Sequence, residues 1–180
     1  MSEKKYTLND FNFELPDDLI AQYPIEKRDE SRLFVLDRNT KNYHHEKFNN
    51  ITNHLRENDL LVFNNARVIH GRVYFRRETG GIVEVILTQK LNSNNWLIIC
   101  NKTKKLSLGE VIIATQDTSV SLKVLKRIDD FLQVESNVDL TDTLLQKIGE
   151  VPLPPYIKRS FDNIDENRYQ TVYAEKSGAV

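Results

Sequence analysis

Between Val68 and Ser136 the apolar positions fall in short runs that recur about every 8 to 14 residues. The runs are Arg72–Phe75, Ile82–Leu87, Trp96–Cys100, Val111–Ala114, Ser119–Leu125 and Phe131–Glu135. Thr79-Gly80-Gly81, Asn92-Ser93-Asn94-Asn95, Leu108-Gly109 and Asp129-Asp130 punctuate them. Strands of that length and spacing predict a small antiparallel barrel or sandwich. The flanks have another texture. Phe11 and Phe13 alternate, Pro16 with Asp17 and Asp18 opens a short helix, and Tyr23-Pro24 ends it. Leu33–Leu36 and Leu60–Phe63 are continuous apolar runs of the kind buried strands make, and Tyr43–Phe48 is a return strand after the turn at 37–42. Phe48, Ile51 and Leu55 have helical spacing. Downstream, Thr141 is the N-cap and Gly149 the left-handed stop of a helix. The fold expected is an α/β mixed domain interrupted by an inserted barrel. Its first segment is 1–67, the barrel 68–138, and its second segment 139–180.

Composition narrows the function classes. The chain has 180 residues, enough to bury a core as one domain or two small ones. A formal net charge of −1 excludes the global positive field of a non-specific nucleic-acid binder, so RNA binding needs a local patch. No apolar run approaches the roughly 18 residues of a bilayer span. Met1–Tyr6 has lysines but no apolar stretch behind them, so it does not read as a secretory signal. The one cysteine, Cys100, reads as a small buried side chain, and the protein reads as cytoplasmic. His44, His45, His54 and His70 lack ligand spacing, so no metal is expected. A single adjacent glycine pair, Gly80-Gly81, argues against a phosphate-cradling loop.

Several constellations carry candidate chemistry. Arg28-Asp29-x-Ser31-Arg32 sets two guanidiniums beside a strand entry, suited to phosphate or carboxylate, or equally to a solvated salt-bridge turn. Asn64-Asn65-Ala66-Arg67, followed by Arg72, puts carboxamides and cations at a strand end, either a binding site or an Asn-rich turn. Glu84 is a lone carboxylate in an apolar strand, sharing a face with Ile82 and Ile86. Partial burial there implies a raised pKa or an arginine partner; the alternative is an outward barrel position. Lys102, Lys104, Lys105, Lys123, Lys126 and Arg127 give the barrel a basic bias. Pro152, Pro154 and Pro155 stiffen an extended segment ending at Tyr156. Beyond it, Arg168, Tyr169, Gln170 and Tyr173 mix the side chains that stack on bases and hold phosphates or carboxylates. A proline-stiffened connector and a helix start would give the same pattern.

Taken in order, these segments resemble one family. Asp10–Pro16, Leu19–Pro24, Arg28–Leu33, Leu61–Val68, Thr79–Val85, Pro152–Ile157 and Arg168–Ala174 are similar to the motifs of the S-adenosylmethionine:tRNA ribosyltransferase-isomerases of queuosine biosynthesis. The resemblance implies an α/β domain interrupted by a six-stranded antiparallel β-barrel, in agreement with the reading above. It implies transfer of the ribosyl part of S-adenosylmethionine to the aminomethyl group of a 7-deazaguanine in the tRNA anticodon. Rearrangement then gives epoxyqueuosine, with adenine and methionine released. S-adenosylmethionine is a co-substrate here, and no cofactor is expected. The chemistry needs a base for a C5′ proton next to the sulfonium, for which Glu84 is the expectation. Asn64, Asn65, Arg67 and Arg72 would orient substrate groups, and Arg28 and Arg32 would meet phosphate or carboxylate. Tyr156, Arg168, Tyr169, Gln170 and Tyr173 would line the deazaguanine or adenosyl pocket, as aromatic and arginine surfaces do for splayed loop bases.

Two departures stand out. Ala66 and His70 occupy positions where relatives more often carry threonine and proline. Relatives also continue past Val180 into a second half, so the resemblance implies an amino-terminal part with an incomplete, truncated α/β domain. That part is expected to be inactive alone. Its expected partners are the tRNA anticodon stem-loop, S-adenosylmethionine, and a carboxy-terminal half or a second copy of itself, with no membrane. The alternative is a non-catalytic RNA-binding module or an inactive fragment.

Overall fold

The structure is a computed structural model and describes residues 5–101 and 106–179. The chain forms two compact units: residues up to Asp59 with Pro155–Arg159, and Leu60–Pro154 with Ser160 onward. Lys102, Lys104 and Lys105 lie outside the described residues.

In the first unit, β1 (Arg32–Leu36) pairs antiparallel with β2 (Tyr43–Lys47). The turn between them is tied by Asp37 Oδ1, which accepts from the amides of Asn39 at 2.7 Å and Thr40 at 3.2 Å. The amides of Thr40 and Asn39 hold the Asp37 carboxyl below its ordinary range. The other regular elements are 3-10 helices at Leu8–Phe11, Asp17–Leu19, Arg28–Glu30 and Phe48–His54, so the expected helices at Pro16 and Phe48 do not reach α form. The 155–159 strap is bound to Gln22, whose Oε1 accepts from Lys158 N at 2.6 Å while Nε2 donates to Tyr156 O at 3.2 Å. Arg159 stacks over Tyr23 at 4.2 Å and donates to Gln22 O at 2.7 Å.

The burial expected for Leu33–Leu36 is not found: Phe34 and Leu36 are exposed, and none of residues 5–59 is buried. A two-stranded ribbon leaves a face uncovered, and the Phe34 ring packs on its ribbon neighbours Tyr43 and His45, 5.4 and 5.5 Å between centroids. The expected strand at Leu60–Phe63 is also absent. Leu60 and Val62 are each 87% exposed, because the backbone finds a ladder partner only from β3 (Ala66–Val68) onward. There β11 (Lys176–Ala179) pairs with it in parallel.

The second unit holds the core. β4 (Arg72–Arg77), β5 (Ile82–Lys90), β6 (Asn95–Cys100), β7 (Val111–Ala114), β8 (Ser121–Ile128) and β9 (Phe131–Ser136) are hydrogen-bonded in the order β4-β5-β6-β9-β8-β7. Pairing of β7 with β4, Ala114 opposite Phe75, closes the barrel. Strict alternation does the packing. Val73 and Phe75, Val83, Val85 and Leu87, Trp96, Ile98 and Cys100, Leu122 and Val124, and Leu132 and Val134 all point inward and are buried. Register shifts at Leu87/Gln89 and Val124/Lys126 bend β5 and β8 around the closure.

One end of the barrel is covered by α1 (Asp142–Ile148), which buries Leu145 and Ile148 beside Leu140. Thr141 caps it as expected, its Oγ1 accepting from Leu144 N at 3.3 Å. Gly149 is not the expected left-handed stop. Its φ is −127°, and it enters the two-residue strand β10 (Gly149–Glu150) against β4. Glycine is needed there because a Cβ would run into the carbonyl oxygen of His70. The four-residue helix α2 (Asp165–Arg168) follows, with Asp165 buried and accepting from Asp162 N at 2.9 Å.

Candidate functional site

Local bonds in the second unit gather residues 64–70 against 165–177. Asn64 Oδ1 accepts from Ala66 N at 2.8 Å, an Asx turn that launches β3. Asn65 O accepts from Glu175 N at 2.9 Å and Lys176 N at 3.0 Å, which sets β11 alongside. Phe63 packs on Tyr173, 4.4 Å between ring centroids. The side-chain amide of Gln170 then takes both backbone groups of Val68, accepting from its N–H and donating to its carbonyl, each at 2.8 Å. His70 follows at the centre of a tight turn in which Gly71 N donates to Ile69 O at 2.7 Å. Its Nε2 lies 3.1 Å from Glu166 Oε1.

This convergence encloses a polar cavity of about 110 Å³ walled by Arg67, His70, Asp142, Glu166, Gln170 and Ser177 among others. Arg67 and Asp142 have no side-chain partner among the described residues, so the cavity presents one uncommitted cation and one uncommitted anion. A second, less polar cavity of about 280 Å³ shares Ile69, Asp142 and Ser177 with the first and continues to Thr88, Lys90 and Trp96. Lys90 is held by Asp139 at 2.7 Å and lies 5.7 Å from the Trp96 ring centroid. No group of three or more His, Cys, Asp or Glu among the described residues is placed to hold a metal ion. No helix among them is long and apolar enough to cross a membrane.

The sequence-selected residues divide between the units. Arg28, Arg32 and Tyr156 belong to the first; Arg28 sits in a 3-10 turn, Arg32 begins β1, and Tyr156 is exposed. In the second, Arg67 and Gln170 line the polar cavity, Asn64 and Asn65 shape the strand that carries Arg67, and Arg168 and Tyr169 are half-buried in and after α2. Glu84 and Arg72 sit on the outer face of the barrel. Arg72 Nε lies 3.1 Å from Glu84 Oε1, out of alignment for a hydrogen bond, and its Nη2 donates to Leu153 O at 2.8 Å. An arginine partner is thus what the apolar setting of Glu84 signalled. Tyr74, opposite Glu84 in the ladder, has its phenol pKa pushed up by burial and then by Glu150 and Glu84. Sequence reasoning missed Asp142, Glu166, Ser177, Lys90 and Trp96, none of which stands in a motif. His70 carried a signal only as a departure from a proline.

A family model described as queuosine biosynthesis protein matches residues 8–180. The chain is 39% identical over 183 residues to the S-adenosylmethionine:tRNA ribosyltransferase-isomerase of Syntrophomonas wolfei, covering 99% of this chain and 51% of that one. It is 40% identical over 171 residues to the Legionella pneumophila protein of the same name, covering 95% and 50%. With its Aquifex aeolicus counterpart the figures are 40% over 174 residues, 96% and 51%. The chain thus spans about half the length of the curated relatives it matches. A crystal structure of the S-adenosylmethionine tRNA ribosyltransferase of Thermotoga maritima covers 77% of this chain and 48% of that one at 32% identity, with a TM-score of 0.40. With its barrel closed and nearly all its length matched, the chain belongs to the queuosine biosynthesis protein family.

Proposed function

We propose that this chain supplies part of an S-adenosylmethionine:tRNA ribosyltransferase-isomerase acting in the cytoplasm. The reaction moves the ribosyl group of S-adenosylmethionine onto the aminomethyl nitrogen of 7-aminomethyl-7-deazaguanine in the tRNA anticodon stem-loop. It yields epoxyqueuosine and releases adenine and methionine. The observation that carries this reading is the match over residues 8–180 to a family whose relatives bear that enzyme name. The cavity beside the 64–70 strand end supports it, because Arg67 and Gln170, selected on sequence, line its wall. Asn64 and Asn65 orient the strand that presents Arg67, and Arg168, Tyr169 and Tyr173 form the aromatic and cationic surface for the deazaguanine or adenosyl group. Arg28 and Arg32, in the first unit, suit phosphate or carboxylate groups. Glu84, expected as the base for the C5′ proton, is part-exposed, paired with Arg72 and outside the lining of both cavities.

The test mixes this chain with a separately expressed polypeptide matching the other half of its relatives, and assays tRNA nucleosides by mass spectrometry. Epoxyqueuosine forms with both pieces and not with this chain alone. Arg67→Ala and Tyr169→Phe each lower turnover; unaltered turnover in both removes them from the site. A reconstituted pair that yields no epoxyqueuosine overturns the reading.

A further inference from the structure

The two cavities differ in character and share a wall. The smaller one has no Phe, Tyr or Trp in its lining, its His70 ring facing Glu166, and carries an uncommitted guanidinium, Arg67, and an uncommitted carboxylate, Asp142. A space that offers both signs of charge selects a group that itself bears both, and an α-amino-carboxylate does. The larger cavity, bounded by Trp96, Thr88 and Leu140, alone approaches the lower end of the roughly 300–1,000 Å³ usual for small-molecule pockets. Ile69, Leu140 and Trp96 give it apolar walls for a flat heterocycle, and Thr88, Lys90 and Thr141 line it with polar groups for the heterocycle's edge. Ile69, Asp142 and Ser177 belong to both linings, so one elongated ligand reaches from one space into the other.

Building on the function proposed above, we propose that S-adenosylmethionine lies across both cavities. Its methionyl carboxylate meets Arg67, its ammonium meets Asp142, and its adenosyl group enters the larger cavity beside Trp96. The arrangement assigns binding tasks to Asp142 and Trp96, which no sequence motif marks. It also gives the strand-end architecture a purpose. The Gln170–Val68 amide pair and the seating of Gly149 under His70 fix the backbone on either side of Ile69, and with it the join between the two spaces.

Trp96 is the single tryptophan of the chain and lines the larger cavity, so its emission responds to a ligand seated there. The 180-residue chain is titrated with S-adenosylmethionine, with 5′-methylthioadenosine, which keeps the adenosyl group and lacks the amino acid, and with methionine. Binding is followed by Trp96 fluorescence and by calorimetry. Both adenosyl compounds change Trp96 emission and methionine does not. S-adenosylmethionine binds about tenfold or more tightly than methylthioadenosine. Arg67→Gln and Asp142→Asn each erase most of that advantage; Arg67→Gln, outside the larger cavity's lining, leaves methylthioadenosine affinity unchanged, which also shows that this variant is folded. Equal affinity of the two compounds for the parent chain, or variants that weaken both alike, overturns the two-cavity arrangement and leaves S-adenosylmethionine as the substrate. Calorimetric binding with a silent Trp96 overturns the adenosyl placement. Failure of every adenosyl compound to bind overturns this inference; epoxyqueuosine from the reconstituted pair decides the function separately.

Discussion

Gly149 and His70 approach so closely that a Cβ at position 149 would collide with the His70 carbonyl oxygen. It would also meet the carbonyls of Arg72 and Leu145 at 3.1 Å each. All three obstacles are backbone, in β4, the turn before it and α1, so none can swing aside as a side chain would. Gly149→Ala is therefore expected to cost about 3 kcal/mol, the upper part of the range for overpacking. Urea unfolding followed by Trp96 emission checks it. A variant as stable as the parent would show that the backbone relaxes there.

Phe75 carries the closure of the barrel. It is fully buried, lies opposite Val83 on β5 and Ala114 on β7, and so touches the seam from both sides. Phe75→Ala is expected to destabilise the second unit by about 3–5 kcal/mol, the range for emptying a buried phenylalanine site. The loss appears as an earlier urea midpoint with an unchanged slope if the barrel still unfolds cooperatively.

The barrel was legible in the sequence because its alternation is complete within the chain. Val83, Val85 and Leu87 face in while Glu84 and Ile86 face out, and β8 repeats the pattern at Leu122 and Val124. Leu60–Phe63 shows the limit. A continuous apolar run signals burial on both faces, yet these residues are exposed among the described ones and unpaired in any ladder. Gly149 was misread for another reason: a glycine chosen for φ > 0 and one chosen for the missing Cβ look the same in sequence. The site itself was half legible. Arg67 sits in a motif, but the bonds that build its surroundings join His70 to Glu166 and Val68 to Gln170 across about a hundred residues with no periodicity to announce them.

The bidentate latch between Arg77 and Glu110 should make the barrel sensitive to acid. Arg77 Nε donates to Oε1 at 2.6 Å, its Nη2 donates to Oε2 at 3.0 Å, and Ser107 N adds a bond at 2.8 Å. Those contacts, chiefly the arginine's, hold the Glu110 carboxyl below its ordinary range. Because the folded value lies under the unfolded one, near 4.3 for glutamate, the latch is fully stabilising above that pH. Its contribution fades as pH falls through the folded value. Glu110→Gln should lower the thermal midpoint at pH 7, and the gap to the parent should be smaller at about pH 3. An equal gap at both pH values would show that packing, not ionisation, is what the substitution removes.

Gln170 stands in for a strand. Its side-chain amide satisfies the Val68 N–H and carbonyl as a neighbouring backbone would, at 2.8 Å each, and Val68 is where β3 ends and the turn into His70 begins. Removing it leaves a half-buried donor and acceptor together without their partner. Gln170→Ala is expected to cost about 1–3 kcal/mol and to loosen the wall that presents Arg67. Gln170→Glu does not rescue it, since a carboxylate still accepts from the Val68 N–H but sets an anion against the Val68 carbonyl. The direct readout is amide hydrogen exchange at Val68. It should accelerate in the alanine variant while Val85 and Ile98, deep in the barrel ladders, stay protected. Unchanged exchange at Val68 would mean that other bonds hold this turn.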